Sequence, residues 1–474
     1  MNSQEVEIST GQTGIFLNAE NCVKIVIVGG GVVGYSLARQ LLHEKHTVVL
    51  IEQTPEVAEH IAEKMDLQVL AGSGSSPTVL QQAGIEGADM LIAVTPVDEI
   101  NILVCSIARQ YGVPQRIARL RNREFISPDR HVSLVDLGVT QFIFPEQVVV
   151  DSILQYIDTP GAREAVNFEN GNIFLRGYQI EAGMPMVGKS LIELRSRIEP
   201  SIFLIAAVIR NGKGIIPPGD FVIEAGDLVF SLFPREVAPR FMELIHESPT
   251  PVKRVIITGN NLSTMQLASA IQEKVPTLIL VDPDKEHAEL MAAELSKTDV
   301  IYGDCTEADT LKEMDIKRAD FFIASSNEAD YNMLSALLAK SEGAREVIAV
   351  SMEEKQDHLF QSIGIDHVIN PRVTAAKEIM QIISRGYFGS VVRLGSAEIE
   401  AVGMTIPVKS KVIGIPLKKA WKKIRMSAII GIIIRGNTMI IPDGETILEG
   451  NDHIITIAYT RTLPSIRKLF KSSN

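Results

Sequence analysis

The stretch Lys24–Ala38, which reads KIVIVGGGVVGYSLA, decides the fold of this chain and occurs in it twice. The second copy, Arg254–Ala268, reads RVIITGNNLSTMQLA, and matching positions lie 230 residues apart. The match continues beyond this stretch, since ADMLIAVT, which ends at Thr95, corresponds to ADFFIASS, which ends at Ser326. An internal repeat of this length indicates that the chain contains two copies of one domain, which we call module A.

A second, different unit also recurs, and we call it module B. The segment VIRNGKGIIPPGDFVIEAGD, which ends at Asp227, corresponds to IIRGNTMIIPDGETILEGND, which ends at Asp452. The order along the chain is therefore A–B–A–B, and 474 residues are enough for several domains of ordinary size. The predicted ranges are 22–155 and 252–385 for the A modules and 160–248 and 390–474 for the B modules, after an N-terminal arm at 1–21.

Each A module alternates β-branched strand segments with helical ones, which predicts parallel strands joined by crossover helices. Lys24–Val28 is such a strand, a glycine turn follows it, and Tyr35–His43 is predicted to be a helix. Each B module is short and rich in strands, with turns such as Pro217-Pro218-Gly219. The sequence thus predicts an α/β chain with two Rossmann-like doubly wound parallel-sheet domains, each followed by a small α+β C-terminal subdomain.

The composition argues against two classes of function. A formal net charge of −12 is unfavourable for binding a nucleic-acid backbone, which needs an excess or a stripe of basic side chains. No apolar run reaches the ~20 residues that span a bilayer, and Ala428–Ile434 is ended by Arg435. We therefore predict that the chain neither binds nucleic acid nor crosses a membrane itself.

Three widely spaced cysteines form neither a disulfide framework nor a zinc-binding pattern, which predicts a cytoplasmic, reducing environment. Cys105 lies in an apolar helical pattern and is expected in the core. Cys305 lies in a turn beside Asp304 and is either a buried filler or a reactive thiol. One basic cluster is interpreted as the solvated face of a short helix. It consists of Lys418, Lys419, Lys422, Lys423 and Arg425.

The first glycine turn predicts a nucleotide site. Gly29, Gly31 and Gly34 follow a strand and open a helix, which is the context that gives a G-x-G-x-x-G string its meaning. The first glycine allows the tight turn, the second lets a pyrophosphate approach the backbone, and the third lets the helix pack close to the strand. Glu52 ends the next strand, where an acid binds the ribose hydroxyls and repels a 2′-phosphate. The pattern therefore favours NAD or another plain adenine nucleotide over NADP.

Later loops are expected at the same edge of the sheet, where ligands bind in open parallel sheets. Thr95 has an equally good second interpretation as the N-cap of the following helix. The residues predicted to bind the cofactor in the first A module are Gly29, Gly30, Gly31, Val32, Val33, Gly34, Glu52, Gly72, Ser73, Val94, Thr95 and Arg119.

The second A module has lost most of this pattern. Asn261 corresponds to Gly31, Thr264 to Gly34 and Val350 to Arg119. Asparagine and threonine add bulk where the pyrophosphate should approach the backbone, so we predict a retained fold with a weakened or lost site. Asp282 corresponds to Glu52 and stays a candidate contact for an adenosine or another small ligand.

The sequence does not favour an enzyme. A dehydrogenase needs a proton-transfer residue within reach of the nicotinamide, yet the nine histidines follow no pattern in the repeat. No Cys-His, Ser-His-Asp or metal-ligand spacing is evident either. We predict a binding protein, and an NAD-dependent oxidoreductase with a duplicated core remains the alternative from another class.

Together these motifs resemble a known family. The glycine turn, Glu52 and the segment Thr95–Asn101, followed by Arg210, Pro217-Pro218 and Gly226-Asp227 in module B, are similar to the RCK domain with its C-terminal subdomain. Two such units in tandem resemble the peripheral regulatory subunits of bacterial Trk-type potassium-uptake systems. The changes at Asn261 and Thr264 depart from the family pattern, as does the N-terminal arm.

This resemblance implies a regulatory role. It implies a homotetramer that lies at the inner face of the plasma membrane against an integral membrane potassium transporter subunit of the Trk type. It implies NAD(H) as the cofactor, with ATP or ADP as further ligands, and a conformational change that gates the transporter. A regulator of another cation channel or of an antiporter is the alternative that the sequence does not separate from this one.

Overall fold

The computed structural model describes residues 22–43, 45–126, 133–197, 203–245, 251–384, 391–395, 398–420, 427–436 and 438–470. The predicted N-terminal arm at 1–21 lies outside the described residues. Most of the first A module belongs to one compact unit of the chain, whereas residues 119–124 and 142–381, with the second B module, belong to the other.

The first A module contains a six-stranded sheet in the order β3-β2-β1-β4-β5-β6. The strand pairs from β3 through to β5 are parallel, and β1 is hydrogen-bonded to β2 on one side and β4 on the other. The strands are β1 (Lys24–Val28), β2 (Thr47–Glu52), β3 (Gln68–Ala71), β4 (Met90–Ala93), β5 (Gln115–Arg119) and β6 (Gln141–Ile143). Ile25, Val26 and Ile27 are all fully buried, as expected for a strand that is covered on both faces.

The order of these strands places β1 at the centre of the sheet. Chain order reverses direction between β1 and β4, and ligands bind at this switch point in doubly wound sheets. The helices are α1 (Val32–His43), α2 (Pro55–Lys64), α3 (Pro77–Gln82), α4 (Asp98–Gln110) and α5 (Pro145–Ile157). The glycine turn between β1 and α1 therefore lies where the sequence predicts the site.

The fifth helix belongs to the core of the other unit. Val149, Val150, Ile153 and Ile157 of α5 are buried in one cluster with residues of the second A module, including Leu267. The boundary expected at residue 155 thus falls inside α5, which ends at Ile157. The last helix of the first A module in sequence therefore packs in the core of the second A module.

The second A module repeats the first sheet, with the order β14-β13-β12-β15-β16-β17. Every strand pair in it is parallel. The strands are β12 (Arg254–Thr258), β13 (Thr277–Asp282), β14 (Asp299–Tyr302), β15 (Phe321–Ala324), β16 (Glu346–Val350) and β17 (His367–Ile369). The helices are α8 (Leu262–Ile271), α9 (Lys285–Glu294), α10 (Ala308–Glu313), α11 (Ala329–Ser341), α12 (Glu354–Ser362) and α13 (Pro371–Ser384).

Each B module is a five-stranded antiparallel sheet, and the orders are β10-β9-β11-β8-β7 and β18-β19-β22-β20-β21. The first contains β7 (Ala162–Phe168), β8 (Ile173–Gln179), β9 (Leu204–Arg210), β10 (Lys213–Ile215) and β11 (Leu228–Pro234), with α6 (Leu191–Arg197) and α7 (Ala238–Ile245). The second contains β18 (Val391–Arg393), β19 (Ile399–Thr405), β20 (Ala428–Arg435), β21 (Thr438–Ile440) and β22 (His453–Tyr459), with α14 (Leu417–Ala420) and α15 (Leu463–Phe470).

The two B modules share one apolar core. Leu175 and Leu232 of the first sheet are buried in the same cluster as Ile432 and Ile455 of the second. A hydrogen bond of 3.1 Å from the Tyr459 hydroxyl to the Gly214 carbonyl also joins the two sheets. The repeated B modules therefore bury their apolar faces against each other.

The architecture confirms the predicted fold class. Within the described ranges, no helix is long and apolar enough to cross a membrane. Cys105 is buried in α4 as predicted. Lys418 and Lys419 lie on α14, where Lys418 forms an exposed ion pair with Glu445, and the rest of the basic cluster lies outside the described residues.

Candidate functional site

The glycine turn between β1 and α1 is closely packed against the Val94–Thr95 segment. Gly29 has a φ of +108°, which is unfavourable for a residue with a side chain. A Cβ on Gly29 would lie 3.0 Å from the Thr95 nitrogen, and a Cβ on Gly34 would overlap the Gly29 carbonyl oxygen. These two glycines therefore let α1 and the Val94–Thr95 segment approach the turn, as the sequence predicts.

Gly31 has the opposite surroundings. A Cβ at this position would meet no atom within 4 Å, so the residue faces open space at the start of α1. The neighbouring Val32 is 49% exposed, whereas Val33 is buried. Because Gly31 has no side chain, it offers no cap to the helix N-terminus, whose N–H groups and dipole favour an anion. The geometry suits a phosphate that approaches the backbone here.

Glu52 ends β2 and is held in a fixed position. One carboxylate oxygen accepts a hydrogen bond of 2.7 Å from the Gly30 nitrogen, and the other accepts one of 2.8 Å from the Thr54 nitrogen. An ionised carboxylate can accept about four hydrogen bonds, so two such bonds leave capacity for a ligand hydroxyl. Glu52 thus both supports the glycine turn and presents a negative group beside it.

The segment after β4 is organised by a buried asparagine. The Asn101 carbonyl oxygen accepts hydrogen bonds from the Thr95 nitrogen, at 3.0 Å, and from the Thr95 hydroxyl, at 2.7 Å. The Asn101 amide donates to the Thr95 carbonyl at 2.9 Å. The N-cap of α4 is Val97, so the interpretation of Thr95 as the N-cap is wrong. Instead, the Thr95 hydroxyl accepts a weak bond from the Val97 nitrogen within the same turn.

The remaining predicted residues follow other strands. Gly72 comes directly after β3, and its nitrogen donates to the Glu52 carbonyl at 2.8 Å, which places this loop beside the acid. The Ser73 hydroxyl is hydrogen-bonded to the Ser75 hydroxyl at 2.9 Å. Arg119 is the last residue of β5 and follows Ala118, whose partner in β4 is Ala93.

In the second A module, a side chain occupies the place of the open turn. Asn261 is the N-cap of α8, and its side-chain oxygen accepts a hydrogen bond of 2.9 Å from the Thr264 nitrogen. Its amide donates to the Ser325 carbonyl, and the Thr264 hydroxyl donates to the same carbonyl at 2.9 Å. The helix N–H group that a phosphate would use is therefore already bonded within the protein.

The acid of the second copy is also occupied. Asp282 is fully buried, one of its oxygens accepts from the Asp284 nitrogen at 2.8 Å, and the other is hydrogen-bonded to the His287 imidazole. A cavity of about 340 Å³ lies beside these groups, and its lining includes Asn261, His287, Met265 and Leu290. Protein groups thus already bond the atoms of the second copy that would bind a nucleotide, and the weakened or lost site stays a prediction.

Sequence reasoning placed Asn101 behind Thr95 without assigning it a role, and it missed two further residues, Asn332 and His287. Asn332 repeats the contacts of Asn101, since it accepts from the Ser326 nitrogen at 2.8 Å and donates to the Ser326 carbonyl at 2.9 Å. The identity of the two asparagines at equivalent positions of the repeat was the available signal. His287 gave no comparable signal, because its contact with Asp282 depends on how α9 packs.

Cys305 is a structural residue. It is fully buried, and burial raises the pKa of its thiol to about 12. Its backbone nitrogen donates to the Tyr331 hydroxyl at 3.2 Å, and that hydroxyl is also bonded to Thr258. A thiol with so high a pKa is not a nucleophile at neutral pH, which decides between the two interpretations of Cys305. Among the described residues, no three His, Cys, Asp or Glu side chains are grouped so as to hold a metal ion.

Comparison with known proteins agrees with this architecture. The model of the TrkA-N domain matches residues 25–145 and 255–371, and that of the TrkA-C domain matches residues 175–246 and 401–471. The Trk system potassium uptake protein TrkA of Haemophilus influenzae is 32% identical over 457 residues, which cover 95% of this chain and 99% of that protein. A TrkA homolog of Archaeoglobus fulgidus is 31% identical over 454 residues, covering 95% of this chain and 100% of that protein.

Solved structures share the fold over the whole chain. The GsuK RCK domain is 19% identical with a TM-score of 0.58 and covers 96% of both chains. The GsuK channel bound to NAD is 19% identical with a TM-score of 0.59, covering 97% of this chain and 81% of that chain. The predicted resemblance is thereby confirmed, and the chain belongs to the TrkA family of Trk system potassium uptake proteins.

Proposed function

We propose that this chain is a nucleotide-responsive regulatory subunit of a potassium-uptake system and that its first A module binds NAD(H). ATP and ADP are proposed as competing ligands of the same site. The observation that carries the proposal is the first glycine turn, where Gly31 faces open space beside a fixed acid, Glu52. The names of the relatives support the role in potassium uptake.

The proposed binding mode follows from charges and exposed groups. The pyrophosphate lies against Gly30 and Gly31 at the N-terminus of α1, where free N–H groups and the helix dipole stabilise negative charge. The adenosine ribose donates its hydroxyls to Glu52. Because a 2′-phosphate would be repelled by this carboxylate, NAD(H) is preferred to NADP(H). Ser73 and Arg119 are proposed as further contacts to ribose and phosphate.

The second A module is proposed to act mainly as a scaffold. A phosphate at α8 would have to displace the Asn261 side chain from the Thr264 nitrogen. A ribose at Asp282 would have to displace His287. Each displacement exchanges one hydrogen bond for another and so reduces the net gain from binding. Nucleotide is therefore expected at the first module before the second.

We propose that binding regulates a membrane partner and catalyses no reaction. A nucleotide changes the equilibrium between two conformations only if it binds one of them more tightly. In this proposal, NAD(H) stabilises one conformation of a tetramer of this chain, which lies at the inner face of the membrane. The tetramer then holds an integral membrane Trk-type potassium subunit in its open or closed state.

Nucleotide binding is tested with Gly31→Trp. The backbone at Gly31 does not require positive φ and the surrounding space is open, so the indole can be accommodated in the folded protein while it fills the phosphate position. NADH fluorescence titration should show a loss of affinity of more than tenfold. Unchanged affinity would contradict the assignment of the site.

The matched control is Leu262→Trp in the second A module. Leu262 corresponds to Val32, starts α8 and is 51% exposed, so the same bulk is added at the equivalent end of the duplicate fold. This variant should bind NADH as the wild type does. A loss of binding in Leu262→Trp but not in Gly31→Trp would place the nucleotide in the second module instead.

The regulatory role is tested with the membrane partner. Co-expression with a Trk-type membrane subunit and purification in detergent should recover both proteins together, and NADH should change potassium flux in reconstituted vesicles. Light scattering of the chain alone should give the mass of four copies. Steady oxidation of NADH by the purified chain with a carbonyl substrate, or reduction of NAD+ with a 2-hydroxy acid, would favour the oxidoreductase alternative.

A further inference from the structure

We propose that Asn101 is a positioning residue for nucleotide binding, which acts by fixing Thr95 beneath the first glycine turn. This inference rests on the proposed binding of NAD(H) by the first A module. Asn101 is fully buried and lies one turn inside α4, so it does not itself face the open side of the turn. Its effect on a ligand must therefore pass through another residue.

That residue is Thr95. Three hydrogen bonds of 2.7 to 3.0 Å join the Asn101 side chain to the nitrogen, the carbonyl and the hydroxyl of Thr95. They determine the position and orientation of the two peptide units on either side of the Thr95 Cα, in the loop that follows β4. Both the oxygen acceptor and the N–H donor of the Asn101 amide are used. A side chain that lacks either group therefore cannot make the same three hydrogen bonds.

Thr95 in turn limits the position of the glycine turn. The hypothetical Cβ of Gly29 would lie 3.0 Å from the Thr95 nitrogen and 3.1 Å from the Val94 carbonyl carbon. On the other side, the hypothetical Cβ of Gly34 would overlap the Gly29 carbonyl oxygen. The turn is thus confined between the segment that Asn101 holds and the first turn of α1. A shift of Thr95 by a fraction of an ångström would move the N–H groups that face the phosphates.

The second A module contains the same device without the open turn. Asn332 bonds to the nitrogen and the carbonyl of Ser326, and also donates to the Val350 carbonyl at 2.8 Å. The segment that Asn332 holds contains Ser325, whose carbonyl accepts from the capping residue Asn261. A buried asparagine thus supports an open glycine turn in the first copy. In the second copy, it supports a turn in which Asn261 caps the helix that follows. A substitution of Asn332 can therefore serve as the control for the purely structural effect of losing these hydrogen bonds.

The experiment compares Asn101→Leu with Asn332→Leu in the full-length protein. Leucine has the same branching of heavy atoms as asparagine, is bulkier, and removes both hydrogen-bonding groups, so each variant leaves equivalent backbone groups unpaired. Both should lower the melting temperature by a similar amount. Asn101→Leu should weaken NADH binding at least tenfold, whereas Asn332→Leu should leave the affinity within about twofold of wild type.

If Asn101→Leu does not fold, Asn101→Asp takes its place, since it keeps the shape but does not donate to the Thr95 carbonyl when ionised. It should also weaken NADH binding at least tenfold.

Two outcomes would overturn the inference: full affinity in the folded Asn101 variant, or an equal loss of affinity in Asn332→Leu. The first would show that Thr95 need not be fixed, and the second would show a general effect of destabilisation. Failure of the wild-type protein to bind NADH would instead refute the proposed function, so the two proposals are separated by the same titration.

Discussion

Gly31 and Gly34 lie three residues apart in one turn, yet a side chain at each would meet opposite surroundings. Gly34 is in contact with the backbone of Gly29, whereas Gly31 faces open space. The motif therefore combines one glycine whose close packing leaves no room for a side chain with one at which a side chain would meet no atom of the protein. This difference makes it possible to separate folding from binding within a single turn.

Gly34→Ala should destabilise the first A module by at least about 2 kcal/mol, because its Cβ would overlap the Gly29 carbonyl oxygen and α1 would have to move away from the sheet. Hydrogen-exchange mass spectrometry should show loss of protection in the peptides that cover β1 and α1. Gly31→Ala is the control and should leave protection unchanged. Equal protection in both variants would mean that the close approach of α1 does not support the fold.

The buried thiol of Cys305 predicts a dependence of stability on pH. Burial raises its pKa from 9.0 to about 12, so the native state keeps the proton between these values while the unfolded state releases it. The thiol thus stabilises the fold fully below pH 9, and this contribution is lost as the pH rises towards 12. The maximum slope is about 1.4 kcal/mol per pH unit for one such group.

Cys305→Ser should therefore reduce the loss of stability between pH 8 and pH 10, measured by urea denaturation at each pH. Serine does not titrate in this range, so the variant removes the thiol contribution and leaves a constant offset. Cys22→Ser, at an exposed thiol, serves as the control for the substitution itself. A slope in Cys305→Ser as steep as that of the wild type would show that other groups account for the alkaline loss.

Among the elements, α5 shows most clearly how sequence neighbourhood and packing differ. The helix directly follows the last strand of the first parallel sheet, but its apolar face is buried with α8 and the second sheet. Because the repeat places α5 with the first A module in sequence, only the tertiary contacts reveal its partner. Helix α5 thus follows the first sheet in sequence but is packed in the core of the second A module.

Ile153→Ala should destabilise the second A module more than the first. The side chain is 1% exposed, and removal of a buried isoleucine to alanine costs about 2–5 kcal/mol. Hydrogen exchange should rise in the peptides of β12 and β13 before it rises in those of β1 and β2. Asp151→Ala, at an exposed position on the same helix, is the control and should not raise exchange in these peptides. Faster exchange of Ile153→Ala confined to β1 and β2 would contradict the packing of α5 in the second A module.

The repeat explains how much of this molecule could be predicted. Buried β-branched strands, glycine turns and terminal acids are local signals, and they predicted both parallel sheets and the position of the first turn. Asn261 replaces a glycine in the alignment of the copies, which indicated a weakened site but not that its side chain would cap α8. Two contacts could not be predicted: the hydrogen bond between Asp282 and His287, and the one from the Thr95 nitrogen to Asn101. Both depend on how side chains of different elements are placed, which residue spacing alone does not determine.

Across the described residues, the two copies of each module share one architecture. Both parallel sheets have the same strand order, and both B modules have the same antiparallel topology and bury their faces in one core. The asparagines that hold the loop after the fourth strand are retained in both A modules. The turn where a nucleotide would bind differs, since Gly31 faces open space in the first copy whereas Asn261 caps α8 in the second.

This difference predicts the number of nucleotides that each chain binds. With Asn261 bonded to the start of α8 and His287 bonded to Asp282, a second ligand would have to break contacts that the first does not meet. Isothermal titration with NADH should therefore give one tight site per chain, and Gly31→Trp should abolish it. Two sites of equal affinity would contradict the asymmetry, because they would show that the Asn261 cap and the Asp282–His287 pair are displaced at no net cost. In that case the chain would contain two nucleotide sensors rather than one sensor and one scaffold.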